Sequence, residues 1–305
     1  MKDNPYYNQV RLILRILPQI AKEKRFALKG GTAINLFVRD MPRLSIDIDL
    51  TWLALQPREE TLENISTALR NLAGSIPSKI HGSAVVEHRG KNTAQIVRLT
   101  VKTAEAMIKI EPNLVLRGTV FPCVERELCN DAAALFELTT TANTVSTADL
   151  YGGKLCAALD RQHPRDIFDI KVLMENEGIT EDIRTAFVVY LAGHDRPMSE
   201  LLDPGRIDFR SAYDREFAGM TSLRVDYEEL VAVREGMIHT INKILTKDER
   251  HFLLSIKQGR PQWGLLKMPG IEQLPAIQWK LINIQKMDKD KHVRATEKLR
   301  EVLGV

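Results

Sequence analysis

Cysteine is nearly absent, with three in 305 residues. Cys123, Cys129 and Cys156 form no CxxC pair and no even set, which excludes a disulfide framework and offers no zinc-ligand spacing. They read as small, mostly buried hydrophobes. Aromatic residues are also scarce at 6%. No run approaches the ~20 consecutive apolar residues of a membrane helix. Arg11 and Arg15 interrupt the first apolar run, which therefore lacks a signal-peptide core. The expected location is the cytoplasm, with no membrane partner. Internal repeats and low-complexity tracts are missing too, so a solenoid or a disordered tail is not indicated.

Charge of one sign is equally lacking, at a net +3. Its placement is uneven, because Ile241 to Val305 holds 13 Lys/Arg against 7 Asp/Glu, while the preceding residues hold 30 against 33. Such a basic tail suits phosphate contacts with a nucleic acid, and it is equally the pattern of a solvated helix face. With 44% hydrophobic and 27% charged residues the chain has ordinary globular statistics, and its length fits one large domain or two of usual size.

Hydrophobic periodicity organises the chain. Leu12, Ile13, Ile16, Leu17 and Ile20 fall at the helical period within Val10 to Ala21, with Pro18 as a kink or an end. Phe26-Ala27-Leu28 reads as a short strand, Lys29-Gly30-Gly31-Thr32 as a glycine turn, and Ala33 to Val38 as a helix. From Ser45 to Leu55 the period becomes two. Ile46, Ile48 and Leu50 share one strand face, and Ser45, Asp47, Asp49 and Thr51 share the other. Pro57 to Leu72 is helical again, followed by strands at Ala84–His88, Gln95–Lys102 and Ala106–Val115. The sum is a mixed sheet of about five strands. From Thr147 onward the pattern is mainly helical, with Leu230 to Leu245 on one long amphipathic element. Arg260 to Trp279, rich in Pro, Gly and Trp, breaks the helices before a last basic helix over Lys280–Leu303. The lobe boundary is expected near Asn143.

Two aspartates two apart on a strand place their Cα atoms roughly 6.5 Å apart on one face, close enough for both carboxylates to serve one Mg²⁺ or a pair of ions. Left alone, such neighbours repel and need solvent or a cation. A DxD by itself is more often the plain polar face of an edge strand. Gly30-Gly31-Thr32 changes that weighting, because two glycines at a helix start let backbone N–H groups approach a phosphate. A glycine turn for a triphosphate followed by a carboxylate pair for metal is the opening signature of nucleotidyltransferases. Met107, Lys109 and Glu111 share a face of a neighbouring strand, which makes Glu111 the candidate third carboxylate; a strand-end charge before Pro112 explains it nearly as well.

Downstream, Lys154, Ala158 and Arg161 line one side of a helix that starts near Thr147. The next helix opens at Pro164 and carries Arg165, Asp166 and Asp169. Acid at a helix N-terminus and an Arg165–Asp169 pair at i+4 have an ordinary stabilising explanation.

These residues together resemble the AbiEii/AbiGii toxin group of nucleotidyltransferases, which includes the mycobacterial MenT toxins of type IV toxin–antitoxin systems. The likeness rests on Gly30-Gly31-Thr32-Ala33, on Arg43-Leu-Ser45-Ile-Asp47-Ile-Asp49-Leu50, on Lys154 through Arg161, and on Arg165-Asp166-Ile-Phe-Asp169. Looser likeness continues to Phe252-Leu253-Leu254, Gly259 to Trp263 and Leu274 to Leu281. The resemblance implies an α+β architecture: a nucleotidyltransferase domain over 1–143 with a mixed sheet, and a largely helical domain over 144–305 that completes the active-site cleft. It also implies that Asp47 and Asp49, with Glu111, hold Mg²⁺ or Mn²⁺. Gly30, Gly31, Thr32, Ser45, Lys154 and Arg161 would bind the NTP, and Asp166 would act near the acceptor or orient the basic residues. The implied activity is transfer of NMP to the tRNA 3′ end, blocking translation in toxin–antitoxin and phage-defence settings, with an AbiEi-type antitoxin from the same operon. Thr32 and Ser45 become points of inactivating phosphorylation. Two rivals remain: the same chemistry on a protein or small-molecule acceptor, and a non-catalytic NTP-binding module.

Overall fold

The computed structural model describes residues 4–91 and 93–305. The chain divides into two compact units, Met1–Ser146 with Ala218–Leu223, and Thr147–Phe217 with Arg224–Val305.

The first unit contains α1 (Tyr7–Ile20), β1 (Phe26–Lys29), α2 (Gly30–Ala33), β2 (Asp47–Trp52), α3 (Arg58–Lys79), β3 (Ala84–Arg89), β4 (Ile96–Lys102), β5 (Met107–Asn113), β6 (Val124–Glu127), α4 (Asn130–Phe136) and β7 (Thr141–Thr144). The strands form one seven-stranded sheet in the order β3-β4-β5-β2-β1-β7-β6. It is mixed, since β2 runs parallel to β5 and β1 parallel to β7 while the other pairs are antiparallel. The period-two reading holds from Asp47 to Leu50, where Ile48 and Leu50 are fully buried with Leu99, Val101, Ile108 and Ile110 beside them; the strand is shorter than expected, Ile46 lies outside it, and Ser45 and Thr51 are buried rather than on an open polar face. Helices α1 and α3 pack on the sheet.

The expected five strands become seven because β6 and β7 are four residues each, with no apolar alternation long enough to register as strands. Pro18 sits inside α1, which ends two residues later, and α3 runs past Pro77 to Lys79. After Ala33 the helix continues without a break as a wider π-helical turn over Ile34–Val38, in which Arg39 N donates to Ile34 O at 2.8 Å. Only Cys156 is buried; Cys123 and Cys129 are half-buried, and none of the three forms a disulfide. Burial, aided by Asp40, pushes the Cys129 thiol up to about 11, which keeps it protonated and unreactive.

The second unit is helical: α5 (Thr147–Arg161), α6 (Pro164–Glu175), α7 (Glu181–Gly193), α8 (Met198–Leu202), α9 (Arg210–Ala212), α10 (Tyr227–Ile244), α11 (Lys247–Lys257), α12 (Pro275–Gln285) and α13 (Lys289–Leu303). Gly152 lets α5 and α7 approach closely, since a Cβ there would lie 2.7 Å from Phe187 N. Ile167, Phe168, Phe209, Phe217, Val225 and Leu230 form an aromatic-rich core between α6 and α10. The single basic helix expected over Lys280–Leu303 is two helices. Pro275 opens α12 at its first turn, and the Asp288 carboxylate accepts from Lys291 N at 3.0 Å to start α13. Asn143 lies inside β7, and the first unit extends to Ser146. It also takes back Ala218–Leu223, because Met220 O accepts from Leu44 N at 2.7 Å and Thr221 Oγ1 donates to Pro42 O at 2.7 Å. No helix among the described residues is long and apolar enough to cross a membrane.

Candidate active site

In the first unit the chain leaves β1 at Lys29, and Gly30 adopts φ +70° to open α2. That left-handed conformation favours glycine, and space demands it as well. Lys29 is registered opposite Asp49, so a Cβ on Gly30 would lie 2.2 Å from Asp49 Oδ2. At Gly31 a Cβ would meet Arg43 Nη2 at 2.7 Å and Ser45 Oγ at 2.9 Å. Thr32 Oγ1 donates to the Asp47 carbonyl at 2.5 Å and lies 3.0 Å from Ser45 Oγ. A carbonyl can only accept, so the one Thr32 hydroxyl proton goes there and Ser45 closes the second bond. Asn35 Nδ2 donates to Gly31 O at 2.9 Å, and Arg43 Nη1 donates to Leu44 O at 2.8 Å. Glycine turn, Arg43-Leu44-Ser45 and the start of β2 are thus one hydrogen-bonded assembly that fixes the backbone from which both aspartates project.

Asp47 and Asp49 are half-exposed on a strand whose other face is closed. On β5 the residues registered beside them are Lys109 and Glu111. In a parallel pair these share the aspartates' face. Glu111 Oε1 lies 3.3 Å from Arg98 Nη1 on β4. Among the described residues no three His, Cys, Asp or Glu side chains are gathered closely enough to hold a metal ion.

The second unit holds a different constellation. Lys154 Nζ on α5 lies 2.8 Å from Asp166 Oδ1 and 3.0 Å from Asp169 Oδ2 on α6, with all three side chains buried. Arg161 adds a fork to Asp166, with Nη2 to Oδ1 at 2.9 Å and Nε to Oδ2. Arg161 itself stays 60% exposed. Burial alone would raise the Asp166 carboxyl; the charge of Lys154 and the hydrogen bond from Arg161 reverse this and hold it well below the ordinary carboxylate range. The ionised Asp166 therefore orients both cations.

The model of the AbiEii family, described as nucleotidyl transferase AbiEii toxin of type IV toxin–antitoxin systems, matches residues 11–283. The chain belongs to this family. An AbiEii chain is a nucleotidyltransferase toxin, and the type IV system to which it belongs implies an antitoxin partner. The fold is similar to that of MenT4, a nucleotidyltransferase toxin from Mycobacterium tuberculosis H37Rv, with a TM-score of 0.60, 15% identity and 90% of each chain covered. No curated protein sequence matches the chain.

In this AbiEii chain Gly30, Gly31, Thr32, Ser45, Asp47 and Asp49 come together in the first unit, with Glu111 adjacent but facing Arg98. Lys154, Arg161 and Asp166 come together in the second. The ordinary Arg165–Asp169 pairing gives way to a longer-range one: Asp169 meets Lys154, and Arg165 lies 3.5 Å from Glu216. Thr32 and Ser45 are 0% and 7% exposed with their hydroxyls in hydrogen bonds, so a kinase reaches neither in this conformation. Three residues escaped the sequence reading as site members. Arg43 is 3% exposed behind Gly31, and its position two before Ser45 in the Arg-x-Ser-x-Asp-x-Asp run was its only signal. Asp169 completes the Lys154 cage. Arg98 gave no local signal.

Proposed function

We propose that this AbiEii chain is a metal-dependent nucleotidyltransferase that moves NMP from an NTP to the 3′ end of tRNA. In this reading it acts in the cytoplasm as the toxin of an AbiE-type pair, halting translation, with an AbiEi-type antitoxin beside it. The observation that carries the reading is Asp49 lodged against Gly30, with Asp47 tied through its carbonyl to Thr32. A carboxylate pair stands where a glycine-lined backbone turns out of a strand. Its donor set fits Mg²⁺ or Mn²⁺. Such hard cations take one or two protein carboxylates and fill the rest of their shell with water and substrate phosphates. When bound, the cation supplies Lewis acidity to the attacking hydroxyl and to the departing pyrophosphate.

The chain's own residues do the rest. Asp47 and Asp49 hold the cation rather than attack. Gly30 and Gly31 keep side chains out of the way of a phosphate, and Thr32 and Ser45 keep the aspartate strand in place. In the second unit, Lys154 and Arg161, oriented by Asp166, are cations of the kind that neutralise a polyanion such as a triphosphate. The acceptor hydroxyl oxygen gives up its proton to water and bonds to the α-phosphorus as the bond from that phosphorus to the oxygen bridging to the β-phosphorus breaks, and pyrophosphate leaves with the bonding electron pair. The basic excess after Ile241 supports a polyanionic acceptor.

The test is to incubate the protein with Mg²⁺, total tRNA and each labelled NTP in turn, beside Asp47→Ala. Label in tRNA with the wild-type protein alone is expected. Label that enters only a protein or a small molecule would replace the acceptor, and no label in any acceptor would overturn the transferase reading.

A further inference from the structure

The registers around Asp49 extend into a row. Lys29 on β1 faces Asp49 on β2, which faces Glu111 on β5. Leu99 pairs with Ile110, so Arg98 on β4 comes opposite Glu111, and His88 on β3 is registered to Arg98. One residue from each of five adjacent strands thus lies in line on one sheet face. Asp49 and Glu111 sit on strands about 4.8 Å apart, where two carboxylates repel. Arg98 stands on the far side of Glu111 and draws it away, with Nη1 3.3 Å from Glu111 Oε1. Its other arm is anchored, because Nη2 lies 3.4 Å from His88 Nδ1 and His88 Nε2 lies 2.8 Å from Thr100 Oγ1. A guanidinium only donates, so His88 Nδ1 is the acceptor and its Nε2–H is free to donate to Thr100.

The position of Glu111 suits a third metal ligand, yet its carboxylate is engaged elsewhere. Both members of the ion pair are more than a third exposed, at 39% and 36%. Water screens such a pair, so it is held weakly and exchanges readily. A divalent cation held by Asp49 would carry more charge than Arg98 and would attract Glu111 from the opposite side.

We propose that Arg98 is a positioning residue that withholds Glu111 from the Asp47–Asp49 pair until a divalent cation outcompetes it, so that Arg98 sets the metal affinity. The inference rests on the reading of Asp47 and Asp49 as metal-holding. It explains why three well-placed carboxylates do not form a ready-made cluster among the described residues. Glu111 is kept close to Asp49, and Arg98 offsets the repulsion it would add there.

Mn²⁺ titration of the full chain, read by the electron paramagnetic resonance of free Mn²⁺, tests it with Arg98→Gln, Glu111→Gln and the double variant, each checked by thermal melting. Arg98→Gln is expected to bind Mn²⁺ about fivefold tighter than wild type, the size of a partly exposed ion pair. The same change made in the Glu111→Gln background should do nothing. Equal tightening in both backgrounds would mean only that a nearby positive charge had been lost, and would overturn the proposal; so would no tightening in either. If Arg98→Gln fails to fold, Arg98→Lys carries the same test, because it keeps the charge and loses the anchored fork. Wild-type Mn²⁺ binding that is indifferent to Asp47→Ala would instead sink the metal-holding reading itself.

Discussion

Asp49 and Asp166 are both aspartates with a lysine nearby, and their surroundings differ in almost every respect. Asp49 is half-exposed, placed by strand register and pressed against a glycine with φ +70°. Asp166 is 1% exposed, set by Lys154 and Arg161, and shares Lys154 with Asp169. Backbone geometry positions the first, and mutual charge positions the second. A half-exposed carboxylate stays within reach of solvent. One whose oxygens are consumed by neighbouring cations does internal work, which here is to aim Lys154 and Arg161.

Substitutions should separate the two regions. The largest effect is expected from Asp49→Ala, which should abolish nucleotide transfer while the melting temperature stays close to that of wild type, because water screens the contacts of a half-exposed carboxylate. Retained turnover in a labelled-NTP assay would remove Asp49 from the chemistry. Asp166→Ala should show the opposite signature. It removes the buried carboxylate that Lys154 and Arg161 share, and should cost about 3 kcal/mol of stability by denaturant titration. A midpoint equal to wild type would show that the cage is not structural.

Gly30→Ala comes next. The left-handed backbone costs roughly 1–2 kcal/mol in a residue with a side chain. The new methyl must also displace the Asp49 carboxylate, so transfer should fall more than stability does. Combining it with Asp49→Ala should recover part of the stability loss, which a double-mutant cycle in thermal melts would detect. The smallest effect is in pH. Asp166 has a lowered folded pKa, so its stabilising contribution is complete above the ordinary value of 3.8 and drains as pH falls below it. The stability gap between wild type and Asp166→Asn should therefore narrow on acidification, and a gap that widened there would reverse the assignment.

The first unit was readable where a residue's neighbours in sequence are also its neighbours in space. The period-two run through Asp47 and Asp49 and the Gly30-Gly31 turn lie within twenty residues of each other, and their local pattern shows both the face and the bend. The seven-strand count was not readable, because β6 and β7 depend on pairing with each other and with β1 rather than on their own periodicity. The tail was misjudged for a similar reason: Asp288 starts a helix through one side-chain bond, a signal smaller than the basic composition around it. In the site, the stripe from Lys154 to Arg161 was visible as helical spacing. Its partners were not, since the choice of Asp169 by Lys154 over Arg165 is made by the packing of α5 against α6. Arg98 was hidden altogether, because its meaning comes only from the strand beside it.

The half-exposed Asp47 and Asp49 are the proposed chemical pair. The most direct test measures pyrophosphate released from NTP with Mg²⁺ and tRNA by wild type, Asp47→Ala and Asp49→Ala at matched thermal stability. Release by wild type and none by either variant is the predicted result. Equal release by all three proteins would contradict it.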